Sequence, residues 1–464
     1  MALKWTNKAQ GALNSSANRK LRISSLTKAI GLASVFGATT ALSPAAQALK
    51  TDFGVEYRAT GFQVESEAFE LGGATGDSDN GMAHLIRVKT DFLDEDTGIS
   101  LHTSLEVAGD RWSGDARNYE TTGPQGFNTS NNGDNVRLDL GYLQIPVGHT
   151  VFRVGRQATS YNSCFLVCDD RRDRLLMIQP FSKDFQVLAL YDRRKDAHNG
   201  ATFDNNDNGD QYGLAAVAKV AGLDTSLLLL HYGKNDSGVT GGNEYALQGV
   251  NAVSGYVAGD VGELAKMTVG FNLFMDGELQ TADPSNGQYF TEDSMSQFVR
   301  LEGSLGLMDW GLQYAGAQDG GLVSTGFDTY SSLINSNPES TNSPTSVYSI
   351  GQTFGVEDLD QQIIAGKATF NLTPKFSITG AVGQLDVDHP ALGTDDSMFY
   401  DLELSYQVNK SLRTWFTYGV MEENQAVALT GNGLIGGFSG PGDPQASIAD
   451  DDVQAASLNI AVDF

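Results

Sequence analysis

Residues 160–174 concentrate the chain's most distinctive side chains. Cys164 and Cys168, the only two cysteines, are followed at once by Asp169, Asp170, Arg171, Arg172, Asp173 and Arg174. Two thiols four residues apart, in an exported and oxidising setting, predict a local disulfide that stiffens a small loop. Zinc is the poorer reading, because two thiols without a nearby His or second thiol pair do not complete a tetrahedral shell. Charges of both signs are thus packed into six consecutive residues, Asp169 to Arg174. A second candidate is Asp204-Asn205-Asn206-Asp207-Asn208-Gly209-Asp210, where Asp204, Asn206, Asn208 and Asp210 repeat the alternate spacing of oxygen ligands in a calcium loop. The bidentate Glu that should follow is replaced by Ala215, so a solvated Asn/Asp/Gly turn is the simpler reading and no cofactor is otherwise expected.

Catalytic patterns are missing. The six histidines are scattered, and there is no His-Glu-x-x-His pair, Gly-x-Ser-x-Gly elbow or phosphate-binding Gly loop. A triad assembled across distant strands is left open by spacing alone, but the expectation is a protein that is not an enzyme.

The elements that must position these groups follow from period and composition. Residues 1–48 carry six basic residues and no acid, then an apolar run from Ala29 to Leu42, then Ala46-Gln47-Ala48. That order predicts a signal peptide over 1–48, cleaved after Ala48, and one exported domain over 49–464. Beyond Ala48, 24 Lys and Arg stand against 57 Asp and Glu. Such a surface attracts cations and argues against a nucleic-acid partner.

No apolar run after Ala48 reaches the roughly 18 residues that a membrane helix needs. Instead, segments of about ten residues alternate strictly, the pattern of a membrane barrel strand with one face to lipid and the other to a wet lumen. Ile86, Val88, Thr90 and Phe92 alternate with Arg87, Lys89 and Asp91; Leu101, Thr103, Leu105 and Val107 with His102, Ser104 and Glu106; Leu138, Leu140 and Tyr142 with Arg137 and Asp139; and Tyr400, Leu402 and Leu404 with Asp401, Glu403 and Ser405.

The connections alternate too. Short turns at 94–98, 146–150, 181–184, 221–222, 307–309, 373–375 and 409–411 fall between long polar stretches at 65–81, 110–135, 158–173, 193–210, 233–243, 277–293, 318–358, 388–396 and 423–452. Short turns on one rim and long loops on the other describe an all-β, antiparallel up-and-down barrel, with the turns periplasmic and the loops extracellular. The count is about 18 strands, or 16 if a weak strand such as 174–179 belongs to a loop. Aromatic residues near both sets of connections supply interfacial girdles.

The chain closes on Leu458-Asn459-Ile460-Ala461-Val462-Asp463-Phe464, an alternating strand with a terminal Phe. Here it resembles the outer-membrane porins of Gram-negative bacteria. The resemblance implies that Phe464 is an assembly signal read by the barrel assembly machinery, that lipid and lipopolysaccharide surround the barrel, and that it forms a homotrimer. It also implies that the third loop, 158–173, folds inward as a constriction. Phe152-Arg153-Val154-Gly155-Arg156-Gln157, followed by Arg171 to Arg174, is similar to the strand-and-loop pattern of alginate-export-type 18-stranded porins.

The expected pore-lining set is therefore Arg87, Lys89, Arg137, Arg153 and Arg156 on strands, with Asp169, Asp170, Arg171, Arg172, Asp173 and Arg174 on the loop. Arg87, Lys89, Arg137 and Arg153 would form a basic stripe facing acids across the pore; a lumen of mixed charge is the plainer alternative. The function expected is passive diffusion of small hydrophilic solutes and ions. The alternatives are a substrate-specific channel, polysaccharide export included, and a structural or adhesive barrel.

Overall fold

The computed structural model describes residues 49–66, 78–111, 136–195, 209–233, 249–275, 293–335, 345–346, 348–350, 358–389, 393–422 and 452–464. The expected leader and Asp204, Asn206 and Asn208 of the candidate calcium loop lie outside them.

The described residues contain eighteen strands. The first six are β1 Leu49–Glu65, β2 Ser78–Asp94, β3 Ser100–Arg111, β4 Arg137–Val147, β5 Thr150–Tyr161 and β6 Val167–Ser182. The next six are β7 Phe185–Lys195, β8 Gly209–Val220, β9 Leu223–Tyr232, β10 Asn251–Val261, β11 Ala265–Met275 and β12 Ser294–Leu305. The last are β13 Met308–Gln318, β14 Asp360–Thr373, β15 Phe376–His389, β16 Gly393–Gln407, β17 Leu412–Met421 and β18 Val453–Asp463. Each strand pairs antiparallel with its neighbours in sequence, and β1 pairs with β18 to close the ring. Closure removes sheet edges and satisfies every ladder hydrogen bond within the wall, which a segment crossing hydrocarbon requires.

Even-to-odd connections are tight. Gly148-His149, Ala221-Gly222 and Gly306-Leu307 each join two strands, and Gly148, Ala221, Gly222 and Gly306 have positive φ. Two-residue hairpins need that conformation to match the strands' twist. One such turn, 262–264 between β10 and β11, had no counterpart among the short turns read from sequence. Outside the ring, large apolar side chains are exposed in a band, among them Leu105, Leu227, Leu229, Leu402, Leu458 and Ile460. Phe152, Phe185, Phe370 and Tyr406 are exposed near the turn rim. At the rim of the long connections, Tyr232 and Phe274 do not join an interfacial girdle but are buried in an inward cluster.

Two expectations need correction. The long third loop is not a loop over 158–173: β5 runs to Tyr161, β6 starts at Val167, and only 162–166 connect them. The charges at 169–174 are strand residues, stabilised by cross-strand ion pairs that a run of hydrophilic residues conceals. Second, Leu138, Leu140 and Tyr142 do not share the lipid face. Ser104 pairs with Leu140 and Leu105 with Leu138, which makes Asp139 the extra residue of a β-bulge. A bulge reverses the alternation beyond it, so Leu138 is exposed whereas Tyr142 stacks on inward His102 at 4.8 Å.

Candidate functional site

The barrel encloses a cavity of about 1350 Å³, lined by residues of β5 to β12 and β14 to β17 together with two inward-folded connections. The first connection is the β5–β6 tip. Asn162, Ser163 and Cys164 are all left-handed, and a disulfide joins Cys164 to Cys168. Consecutive left-handed non-Gly residues are strained and persist only when their surroundings over-determine them. Those surroundings belong to distant strands. The Asn162 amide donates to Ser254 Oγ at 3.1 Å and to the Phe271 carbonyl at 3.2 Å, and Tyr161 Oη lies 2.7 Å from Ser226 Oγ. Phe165, fully buried, packs on Phe298 of β12 at 4.7 Å and on Phe327 at 4.9 Å.

Phe327 belongs to the second inward connection, between β13 and β14. Ser324 N donates to the Phe165 carbonyl at 2.9 Å, and Asn272 Nδ2 donates to the Leu322 carbonyl at 3.0 Å. A Cβ on Gly326 would lie 2.7 Å from Cys168 Sγ, so the disulfide rests against that glycine. On the far side Ser332 N donates to Asp401 Oδ1 at 2.9 Å, and Arg300 donates to the Asp328 carbonyl at 2.6 Å. Lys367 Nζ stands 3.4 Å from Asp328 Oδ2 and 3.9 Å from the centre of the Tyr330 ring. Enclosure pushes the Asp328 carboxyl up, but Lys367 and Arg300 more than offset this and hold it below the usual carboxylate value. Tip and loop thus brace each other across the lumen.

Fourteen ionisable side chains of opposite sign line the cavity in equal numbers, seven bases and seven acids. Arg153, Asp169, Asp170, Arg172 and Arg174 are among them. Arg174 forms a closely enclosed pair with Asp192 of β7 and also donates to Thr159, while Arg172 pairs with Asp170. Arg156 and Asp173 are not part of the lining. They are cross-strand partners, 3.8 Å apart, on the face alternate to Arg153, Gln157, Arg172 and Arg174. Arg171 reaches Asp139 at 2.7 Å.

Arg87, Lys89 and Arg137 sit on another part of the wall, in a chain of local pairs. Lys89 binds Glu56 at 2.6 Å; Arg87 meets Glu106 at 3.3 Å and Asp139 at 3.4 Å; Arg137 also meets Glu106. Of the expected stripe of bases facing acids across the pore, Arg87, Lys89 and Arg137 are paired with acids on the same stretch of wall, and Arg153 donates to Gln144 Oε1 at 2.9 Å. Asp210, the described member of the candidate calcium loop, is engaged by Arg193 at 2.9 Å and by Tyr191 Oη at 3.0 Å. Among the described residues no group of three or more His, Cys, Asp or Glu is arranged to hold a metal. Phe464 lies at the turn rim with its ring exposed, and its N donates to the Val55 carbonyl at 3.0 Å.

Sequence reasoning missed the β13–β14 loop as a lumen element. The signal was there, since Val323, Phe327, Leu333, Ile334 and Ile350 are too apolar for a solvated extracellular loop, and all are buried.

No family model matches the chain, and no curated protein matches it. Solved structures do. Acinetobacter baumannii OccAB2 is 12% identical with a TM-score of 0.53, covering 89% of this chain and 98% of its own. Pseudomonas aeruginosa OccK9 (OpdG) is 11% identical with a TM-score of 0.53, covering 89% and 99%. The outer membrane protein opdK of Pseudomonas aeruginosa is 11% identical with a TM-score of 0.51, covering 89% and 98%. At such identities the likeness is one of fold: the chain shares the barrel fold of these proteins, built here as a closed antiparallel ring of eighteen strands.

Proposed function

We propose that the protein is an outer-membrane channel through which small hydrophilic solutes and ions diffuse passively. The observation that carries this reading is the 1350 Å³ cavity inside a closed ring, lined by fourteen ionisable groups while the outer face carries exposed aliphatic side chains. Charges facing inward and hydrocarbon facing outward are what a wet lumen in a bilayer demands. The likeness in fold to opdK, an outer membrane protein, supports the same location. The proposal carries with it a surround of lipid and lipopolysaccharide, insertion by the barrel assembly machinery through the strand ending in Phe464, and a homotrimer. Passive diffusion needs no covalent step.

The tip and loop lodged in the lumen favour a solute-selective channel over a wide sieve, because they leave the passage narrow and specifically lined. Uptake of labelled neutral sugars of graded size into proteoliposomes tests the proposal. Pentoses and hexoses should enter and equilibrate, whereas trisaccharides should be retarded. Exclusion of every sugar and of small ions by correctly folded barrel would overturn it.

A further inference from the structure

The luminal wall is two-sided. On β6 to β9, on the turn side of the Arg174–Asp192 pair, the inward positions include an aliphatic panel held in cross-strand register: Leu176 beside Leu190, and Ile178 beside Leu188, Ala215 and Leu228 in turn. The same strands are already apolar outward, with Leu175, Leu214, Leu227 and Leu229 exposed. A bilayer asks for hydrocarbon on that outer face only, so the inner panel needs its own explanation. Much of it seats the β5–β6 tip, since Ala215, Leu228 and Leu230 cluster with Leu166, and Leu188 and Leu190 pack against that cluster. Ile178 and Val217 line the cavity outside that cluster and are only partly buried.

Across the ring, β14, β16 and β17 present Lys367, Asp401, Glu403, Arg413 and Thr417 to the same cavity. Bases and acids balance over the whole lining, so the cavity presents no excess of either sign to a solute with one net charge. A dipolar head, in contrast, finds both signs within reach. Resting on the channel reading above, we infer that the solutes this passage favours are amphiphilic zwitterions with a compact hydrocarbon body, of which apolar α-amino acids are the simplest. The body slides on the aliphatic panel while ammonium and carboxylate face the polar wall, where paired charges exchange partners with them.

The test is uptake of labelled leucine, asparagine, lysine and glutamate into proteoliposomes, for the wild type and for the double variant Ile178→Asn and Val217→Asn. Leucine and asparagine are of similar size, and half-burial of the leucine side chain predicts entry about fivefold faster. Lysine and glutamate should also trail leucine. In the double variant the leucine advantage over asparagine should vanish while heat-modifiable mobility stays as in the wild type. The inference is overturned if asparagine, lysine or glutamate matches leucine in the wild type, or if the advantage survives in the variant. Failure of all four to enter would instead remove the channel reading on which the inference rests.

Discussion

Arg174 and Asp192 have side chains only 6% and 1% exposed, whereas Arg172 and Asp170 remain about 30% exposed. Depth decides what each pair is worth. Removing one partner of an enclosed pair leaves a desolvated charge alone, so Arg174→Gln should destabilise the barrel by about 3 to 5 kcal/mol. Arg172→Gln should cost about 0 to 1 kcal/mol, since water screens that pair. Urea unfolding of the refolded barrel in detergent measures both. The same logic of facing separates adjacent residues of β16. Leu402→Arg should cost about 2 to 4 kcal/mol if charge enters the hydrocarbon near its midplane, while Glu403→Gln, one residue on and facing the cavity, should fold normally. Equal folding defects would show the two faces to be misassigned.

At the scale of elements, the tip and the β13–β14 loop hold each other through Phe165, Phe298 and Phe327, through Ser324 N on the Phe165 carbonyl, and through the Asn272 amide, which donates to the carbonyls of both Phe165 and Leu322. Neither belongs to the ladder, so loosening them should leave the wall intact. Phe165→Ala should raise single-channel conductance and its noise with no change in strand content by circular dichroism; an unchanged conductance would mean that the tip does not narrow the passage. The Asp328 grip on Lys367 and Arg300 has a defined pH range. Its carboxyl sits below the usual value of 3.8, so the contribution is complete above that value and is lost as pH falls through the lowered one. Conductance should therefore hold steady from pH 7 to pH 5 as far as this contact governs it, and Asp328→Asn at pH 7 should reproduce the looser, noisier state expected under strong acid. If Asp328→Asn conducts like the wild type, this ion pair does not hold the loop.

At the scale of the molecule, the barrel was legible because its two constraints are periodic. A wall between lipid and water imposes alternation, and up-and-down topology imposes tight turns on one rim, as at Gly148-His149 and Ala221-Gly222. What hid was whatever breaks the period or depends on partners far away. The run Asp169 to Arg174 reads as a solvated loop until Arg174 is paired with Asp192 on the next strand. The Asp139 bulge reverses Tyr142, and a single inserted residue leaves no mark on composition. Burial of Phe327 and Leu333 inside the ring depends on Asp401 and Asn272, which lie dozens of residues away in sequence. Cys164 and Cys168 were readable as a pair from spacing, but the wedge that they stiffen, Phe165 between Phe298 and Phe327, was not.

Single-channel recording in planar bilayers addresses the central claim, that a solute-sized wet passage runs through this ring past two inward connections. The wild-type protein should insert as discrete, steady and ohmic steps in potassium chloride, with larger steps from Phe165→Ala. Barrel shown to be folded by heat-modifiable mobility, yet electrically silent in both forms, would contradict the account.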